Sequence, residues 1–193
     1  MTPKTIIFVG PQGSGKGTQV RRIIAHLKEV SDAPVVDLET GRGFRTMAES
    51  ASYTATRVGE VLEHGEMVPN FLTSSIVMSE VAERITADAH VVIDGFPRNT
   101  DQARVLEQMM LFYKRTELIV IHLDVPDDVV MARMHSRGRD DDQPDLIKER
   151  LRLYYECTEP LVAHYQARPN TTFLTVDGTA SVEEVWQQIA AIL

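Results

Sequence analysis

Nine consecutive residues near the start of the chain, Gly10-Pro11-Gln12-Gly13-Ser14-Gly15-Lys16-Gly17-Thr18, have the composition of a phosphate trap. An apolar β-branched run at 6–9 precedes them, and Val20, Ile23, Ile24 and Leu27 after them share one helical face. Glycines in such a loop let successive main-chain N–H groups turn toward one anion. The first turn of the helix adds unpaired N–H donors and the positive end of its dipole. Lys16 supplies a mobile charge suited to the β and γ phosphates of a nucleotide. The spacing Gly10-x4-Gly15-Lys16 fits the phosphate-binding loop pattern with one departure: Gly17 stands where Ser or Thr usually follows the lysine, and Thr18 comes one place later.

Two more polar segments follow apolar runs. One is Glu39-Thr40-Gly41-Arg42-Gly43-Phe44-Arg45, and the other runs from Asp94-Gly95-Phe96-Pro97-Arg98 to Gln102. Arg45 and Arg98 are therefore expected beyond strand ends, on the same sheet edge as the glycine loop, where an arginine can grip a second phosphate with two N–H groups. Arg133 and Arg137 are four apart and project from one face of a helix. Asp94, ending a buried strand beside the loop, suits a water-mediated contact to magnesium.

The elements that must position these residues are legible as alternation. Five short β-rich runs, at 6–9, 34–38, 91–93, 118–123 and 172–176, are separated by segments of helical period. Three of the runs are nearly continuous in apolar residues, as strands buried on both faces of a parallel sheet are. Strands alternating with helices imply an α/β doubly wound sheet with ligands at the carboxyl ends of its strands. Two intervals exceed a minimal alternation. Residues 49–65 read as a helix ending at Gly65, followed by an extended Met67-Val68-Pro69 link and a helix capped by Asn70. Residues 137–145 read as a flexible polar loop, with Pro144 in the first turn of the next helix.

Composition bounds the rest. The 193 residues suit one domain, and a net charge of −8 argues against broad nucleic-acid or acidic-membrane binding. Cys157 is the lone cysteine, so no intrachain disulfide forms and a cytoplasmic location is expected. The chain shows neither a signal-like apolar run at its start nor a membrane-spanning stretch. Its six histidines lack ligand spacing, so no zinc site is expected. Met109, Met110 and Leu106 read as core, Tyr154 and Tyr155 as helix residues without a role, and Cys157 as buried and inert.

Taken together, these motifs resemble the adenylate kinases of the nucleoside monophosphate kinase family. The resemblance rests on the loop with Gly after Lys, the Asp94–Arg98 run, Thr40-Gly41 with Arg45, and the Gly65-x-Met67-Val68-Pro69 link. Asp124-Val125-Pro126, Arg139-x-Asp141-Asp142 and the segment from Ile147 to Arg150 extend it along nearly the whole chain. It implies a P-loop nucleoside triphosphate hydrolase-like fold with a five-stranded parallel sheet, a helical NMP-binding insertion at about 39–69 and a short lid at about 137–145. The core would be 1–38, 70–136 and 146–193. It further implies magnesium-dependent phosphoryl transfer from ATP to AMP by a monomer, without zinc. Gly13, Ser14, Gly15, Lys16, Gly17 and Thr18 would hold the donor phosphates, with Thr18 and Asp94 near magnesium through water. Arg133 and Arg137 would meet the donor nucleotide, and backbone near Gly178 and Ala180 its adenine edge. Thr40, Arg45, Met67, Val68, Gly95, Arg98 and Gln102 would hold AMP. Arg139 and Arg150 would grip the transferring group, completing a catalytic set of Lys16, Arg98, Arg133, Arg137, Arg139 and Arg150.

Arg42 departs from the family, which usually carries an acidic residue there to order magnesium-bound water. A weakly active nucleotide-binding regulatory module is therefore one alternative. Asn99 matches the uridylate–cytidylate branch, making a UMP/CMP kinase the other, while Gln102 matches the glutamine with which adenylate kinases read adenine. No Asn-Lys-x-Asp guanine-reading run occurs.

Overall fold

A computed structural model describes residues 2–138 and 142–193. Its five strands, β1 (Thr5–Val9), β2 (Val35–Glu39), β3 (His90–Asp94), β4 (Leu118–Asp124) and β5 (Thr171–Asp177), form one parallel sheet in the order β2-β3-β1-β4-β5. Each expected run became a strand, four of them extended by one or two residues and the second shifted by one, from 34–38 to 35–39. Alternate residues of β1 serve opposite faces. Ile7 and Val9 pack with Val36, Leu38, Val91 and Ile93 against the helices α4 (Asn70–Arg84), α5 (Thr100–Phe112) and α8 (Pro160–Ala167). Ile6 and Phe8 pack with Val92, Ile121 and Leu123 against α1 (Lys16–Val30) and α9 (Val182–Ala190). Burial on both faces explains the continuous apolar character of β1 and β3.

The chain leaves β1 for β2, returns to β3 beside β1, then crosses to β4 on the other side. This reversal opens the crevice at the carboxyl end of β1, directly above the glycine loop.

Two expectations in the 39–70 interval need correction. Helix begins immediately after β2, as α2 (Thr40–Ala48), and a second helix, α3 (Tyr53–Glu63), starts after a break at which Ser52 Oγ accepts from Ala55 N. The helix expected at 49–65 is therefore α3 with shorter bounds, and α2 is a further helix before it. Gly41 and Gly43 lower helix propensity and hid α2. Gly43 has a packing reason, because a Cβ there would lie 3.3 Å from Ile76 Cγ2 on α4. Nor does Asn70 cap α4; Pro69 takes that position, and the Asn70 carboxamide turns to Asn99 and Gln102. Gly65 does follow the end of α3, with φ of 71°. Phe44, Val58 and Val68 form a small core of their own within this interval.

A third apolar cluster joins α6 (Asp127–Arg137) to α7 (Pro144–Leu153) through Val130, Met134, Ile147 and Leu151. Pro144 opens α7 as expected. After α7 the chain makes a π-helical turn, Tyr154–Thr158, before α8. Met110 and Leu106 are buried in the core, whereas Cys157, expected buried, is only half-buried.

Candidate active site

Lys16 is the first residue of α1 and folds back over the loop that precedes it. Its Nζ donates to the carbonyls of Gly10 at 2.8 Å and Pro11 at 2.7 Å, and reaches Ser14 Oγ at 3.4 Å. Gly13 and Gly15 adopt φ of 89° and 102°, conformations that strain any residue with a Cβ. At Gly13 a Cβ would also meet Met134 Cγ at 2.7 Å. Burial depresses the Lys16 pKa to about 8, with Arg98 and Arg137 adding to the effect and Asp94 opposing it. Since kcat/KM reports the free enzyme, its value for the phosphate donor should fall as pH rises through about 8 and Lys16 loses its charge. The kcat profile should hold to higher pH, because bound phosphates keep the lysine protonated. Parallel pH profiles of both parameters check this.

Around the loop, side chains from both ends of the sheet edge and from the flanking helices converge on a cleft of about 1270 Å³. Arg133 on α6 places Nη1 3.4 Å from Ser14 O. Arg98, in the loop after β3, donates from Nε to Gly95 O at 3.0 Å. Gly178 follows β5 and donates its N–H to Asp124 O at 2.8 Å, and a Cβ there would meet Val125 Cγ2 at 2.4 Å. Arg45, Met67, Val68, Gly95, Gln102, Arg137, Arg150 and Ala180 also line the cleft, as do Gly17 and Thr18. One expected site residue is not among them. Thr40 is buried beneath the cleft wall, with its hydroxyl donating to Gly95 O at 3.0 Å. Arg139 lies outside the described residues.

Several cleft residues were missed in sequence. Tyr154, read as a helix residue without a role, lines the cleft and pairs its hydroxyl with His122 Nε2 at 3.2 Å. Thr158 anchors Arg98 by donating to its carbonyl at 2.9 Å. Asp142 has a side chain only 2 % exposed, and both its oxygens accept from Arg137, at 2.9 and 2.6 Å, while Arg150 approaches to 3.8 Å. The carboxylate thus occupies two arginines as a phosphate would. Asp142→Ala should lower stability by about 2 kcal/mol, since the arginines lose a desolvated partner while Arg137 stays partly hydrated. Urea unfolding at equilibrium measures it.

The acidic side of the cleft offers oxygen ligands. Asp94 accepts no hydrogen bond among the described residues, and burial pushes its pKa up, while Lys16 and Arg98 pull it down. A Cβ on Gly17 would lie 3.9 Å from Asp94 Oδ2, so that carboxylate borders the start of α1. Its neighbours Glu39 and Asp37 add negative charge. A hard divalent cation suits such an oxygen set. Among the described residues no group of three or more His, Cys, Asp or Glu converges enough to hold a metal by itself. Arg42 lies at this corner, its charge met by Asp37 Oδ2 at 3.2 Å and Glu39 Oε2 at 3.8 Å. Arg45 shares Glu39 at 3.1 Å.

A glycine loop, a buried lysine and arginines reaching in from opposite walls suit the binding of facing phosphate groups. The family model for adenylate kinase matches residues 8–170. The chain belongs to the adenylate kinase family. It is 35% identical over 188 residues to "Adenylate kinase 1" of Nostoc sp., covering 97% of each chain. Likeness to the adenylate kinase of Thermus thermophilus is 34% over 196 residues, covering 98% of this chain and 97% of the other. The corresponding protein of Nocardia farcinica is 36% identical over 180 residues, or 93% of each. The family's enzymes are phosphotransferases, so the α/β architecture and the class of chemistry expected from the motifs both hold.

Proposed function

We propose that the protein reversibly transfers the terminal phosphoryl group of ATP to AMP, giving two molecules of ADP. The observation that carries this reading is the convergence of Lys16, Arg98, Arg133, Arg137 and Arg150 on one cleft beside the glycine loop. Phosphoryl transfer asks mainly for alignment and for neutralisation of charge on the equatorial oxygens. Residues 13–18 hold the donor phosphates through main-chain N–H groups, and Lys16 leaves its own loop carbonyls to meet them. Arg133 and Arg137 hold the donor from α6, while Gly178 and Ala180 border its base. On the opposite wall Arg45 and Arg98 take the AMP phosphate, Met67 and Val68 border its nucleoside, and Gln102 reads its base. Arg150, with Arg139 from the lid, neutralises the group in transit. A phosphate acceptor is already an anionic nucleophile, so no side chain acts as general base. Thr18 and Asp94 would hold magnesium through water, and the ion would supply neutralising charge to the donor phosphates.

Residues 39–69 and 137–145 act as two flaps that close over the nucleotides and exclude water. The separate core of Phe44, Val58 and Val68 supports movement of the first as a unit. The lone Cys157 supports a reducing, cytoplasmic setting, and we take the active form to be a monomer with no nucleic-acid or membrane partner. Asn99 is not among the cleft-lining residues, which favours AMP over UMP or CMP. Arg42 engaged by Asp37 and Glu39 favours an active enzyme over a regulatory module.

The test compares ADP formation from ATP with AMP, UMP and CMP in the presence of magnesium. The highest kcat/KM is expected with AMP. A preference for either pyrimidine nucleotide contradicts the acceptor assignment, and turnover with none of them contradicts the enzymatic one.

A further inference from the structure

Behind the part of the cleft lined by Gln102, three side-chain amides meet. Asn99 caps α5, its Oδ1 accepting from the main-chain N–H of Gln102 at 3.0 Å. Its Nδ2 donates to Asn70 Oδ1 at 2.8 Å. The same Asn70 oxygen accepts from Gln102 Nε2 at 3.0 Å, and Gln102 Oε1 accepts from the main-chain N–H of Arg98 at 2.7 Å.

A main-chain N–H can only donate, and both ends of this relay terminate on one. Asn99 must turn its oxygen to the helix and its NH2 to Asn70. Asn70 must answer with oxygen. Gln102 must then set NH2 toward Asn70 and oxygen toward Arg98. Reversing any one amide brings donor against donor or acceptor against acceptor. Gln102 is only 1% exposed yet borders the cleft. With one N–H and one lone pair already engaged, it has one of each left, in a fixed order.

We propose that Asn70, through the relay it shares with Asn99, is a positioning residue that sets the polarity of the Gln102 amide. The acceptor site thereby selects a base with an amino group beside an unprotonated ring nitrogen over its keto counterpart. Adenine presents N6–H beside an accepting N1. Hypoxanthine presents an accepting O6 beside N1–H, so an amide matched to adenine meets it with donor facing donor. Without the Asn70 acceptor only the Arg98 N–H holds the Gln102 amide, which then turns to either edge more readily. This rests on the reading of the cleft as an AMP site.

The experiment measures kcat/KM for AMP and for IMP, with ATP as donor, in wild type and in Asn70→Leu, Asn99→Asp and Asn70→Asp. Because both acceptors are compared on one preparation, their ratio is independent of the fraction folded. Asn70→Leu removes the shared acceptor. Asn99→Asp keeps a good helix cap, removes the donor to Asn70 and sets a carboxylate oxygen against Asn70 Oδ1, which favours reversal of the Asn70 amide. Each is expected to reduce the preference for AMP over IMP by about tenfold, through a raised KM for AMP. Asn70→Asp, whose carboxylate still accepts from both amides, is expected to keep the preference within about twofold. An unchanged ratio in both Asn70→Leu and Asn99→Asp, or an equal loss in Asn70→Asp, overturns the proposal while leaving the AMP assignment standing. Wild-type protein that prefers IMP to AMP overturns both.

Discussion

Lys16→Met is expected to lower kcat by about three orders of magnitude, the scale of losing one fixed cationic contact to a transferring phosphoryl group. Methionine keeps the unbranched shape and leaves the positive-φ glycines untouched, so the change removes charge and little else. Lys16 Nζ sits on the Gly10 and Pro11 carbonyls, and burial lowers its pKa to about 8. A lysine whose folded pKa is depressed costs stability at neutral pH, where the unfolded chain binds the proton more tightly. For a fall from 10.5 to about 8 that cost is about 3 kcal/mol. The unfolding midpoint of the methionine variant should therefore equal or exceed that of wild type at pH 7. Lost turnover with undiminished stability identifies Lys16 as a residue kept for chemistry. A variant that unfolds early would instead make the lysine a clamp for its own loop.

Arg98→Lys is expected to lower kcat/KM for AMP by about 10²- to 10³-fold, with the affinity for ATP changed by less than about threefold. The backbone at this position is held without help from the side chain. Its N–H donates to Gln102 Oε1, and its carbonyl accepts from Thr158 Oγ1. What the substitution removes is the planar guanidinium, steered by the Nε bond to Gly95 O so that its terminal nitrogens remain for a phosphate. A lysine supplies one ammonium and no fork. Steady-state kinetics with AMP varied, together with nucleotide displacement for ATP, separate the two effects.

The parts of the fold set by local pattern were legible in the chain alone. β1 and β3 announce themselves by continuous apolar runs, because both faces are covered by helices. The glycine loop was legible because positive φ at Gly13 and Gly15 leaves so few residue choices. Arg98, Arg133 and Arg150 could be placed from motif order, and all three border the cleft.

What the sequence hid depends on contacts between distant segments. Helix α2 was obscured by Gly41 and Gly43, whose small size serves packing against α4 and the Arg45 side chain rather than a turn. Asn70 has the chemistry of a cap, but Pro69 before it takes that role and frees the carboxamide for Asn99, 29 residues on. Thr40, expected to hold AMP, lies against the segment that follows β3, where its hydroxyl donates to Gly95 O. Asp142 looked like one of three acidic lid residues until the fold brought Arg137 and Arg150 to it. Tyr154 gave no signal at all, since its place in the cleft wall comes from the π-helical turn after α7.

The central claim is that one cleft aligns a donor and an acceptor nucleotide for direct transfer. Incubation with AMP, magnesium and ATP labelled in its γ phosphate tests it, with the label followed into every product. The account predicts that the label appears in the β position of ADP derived from AMP, one for each AMP consumed. Label released as inorganic phosphate, with AMP left unconverted, would contradict it.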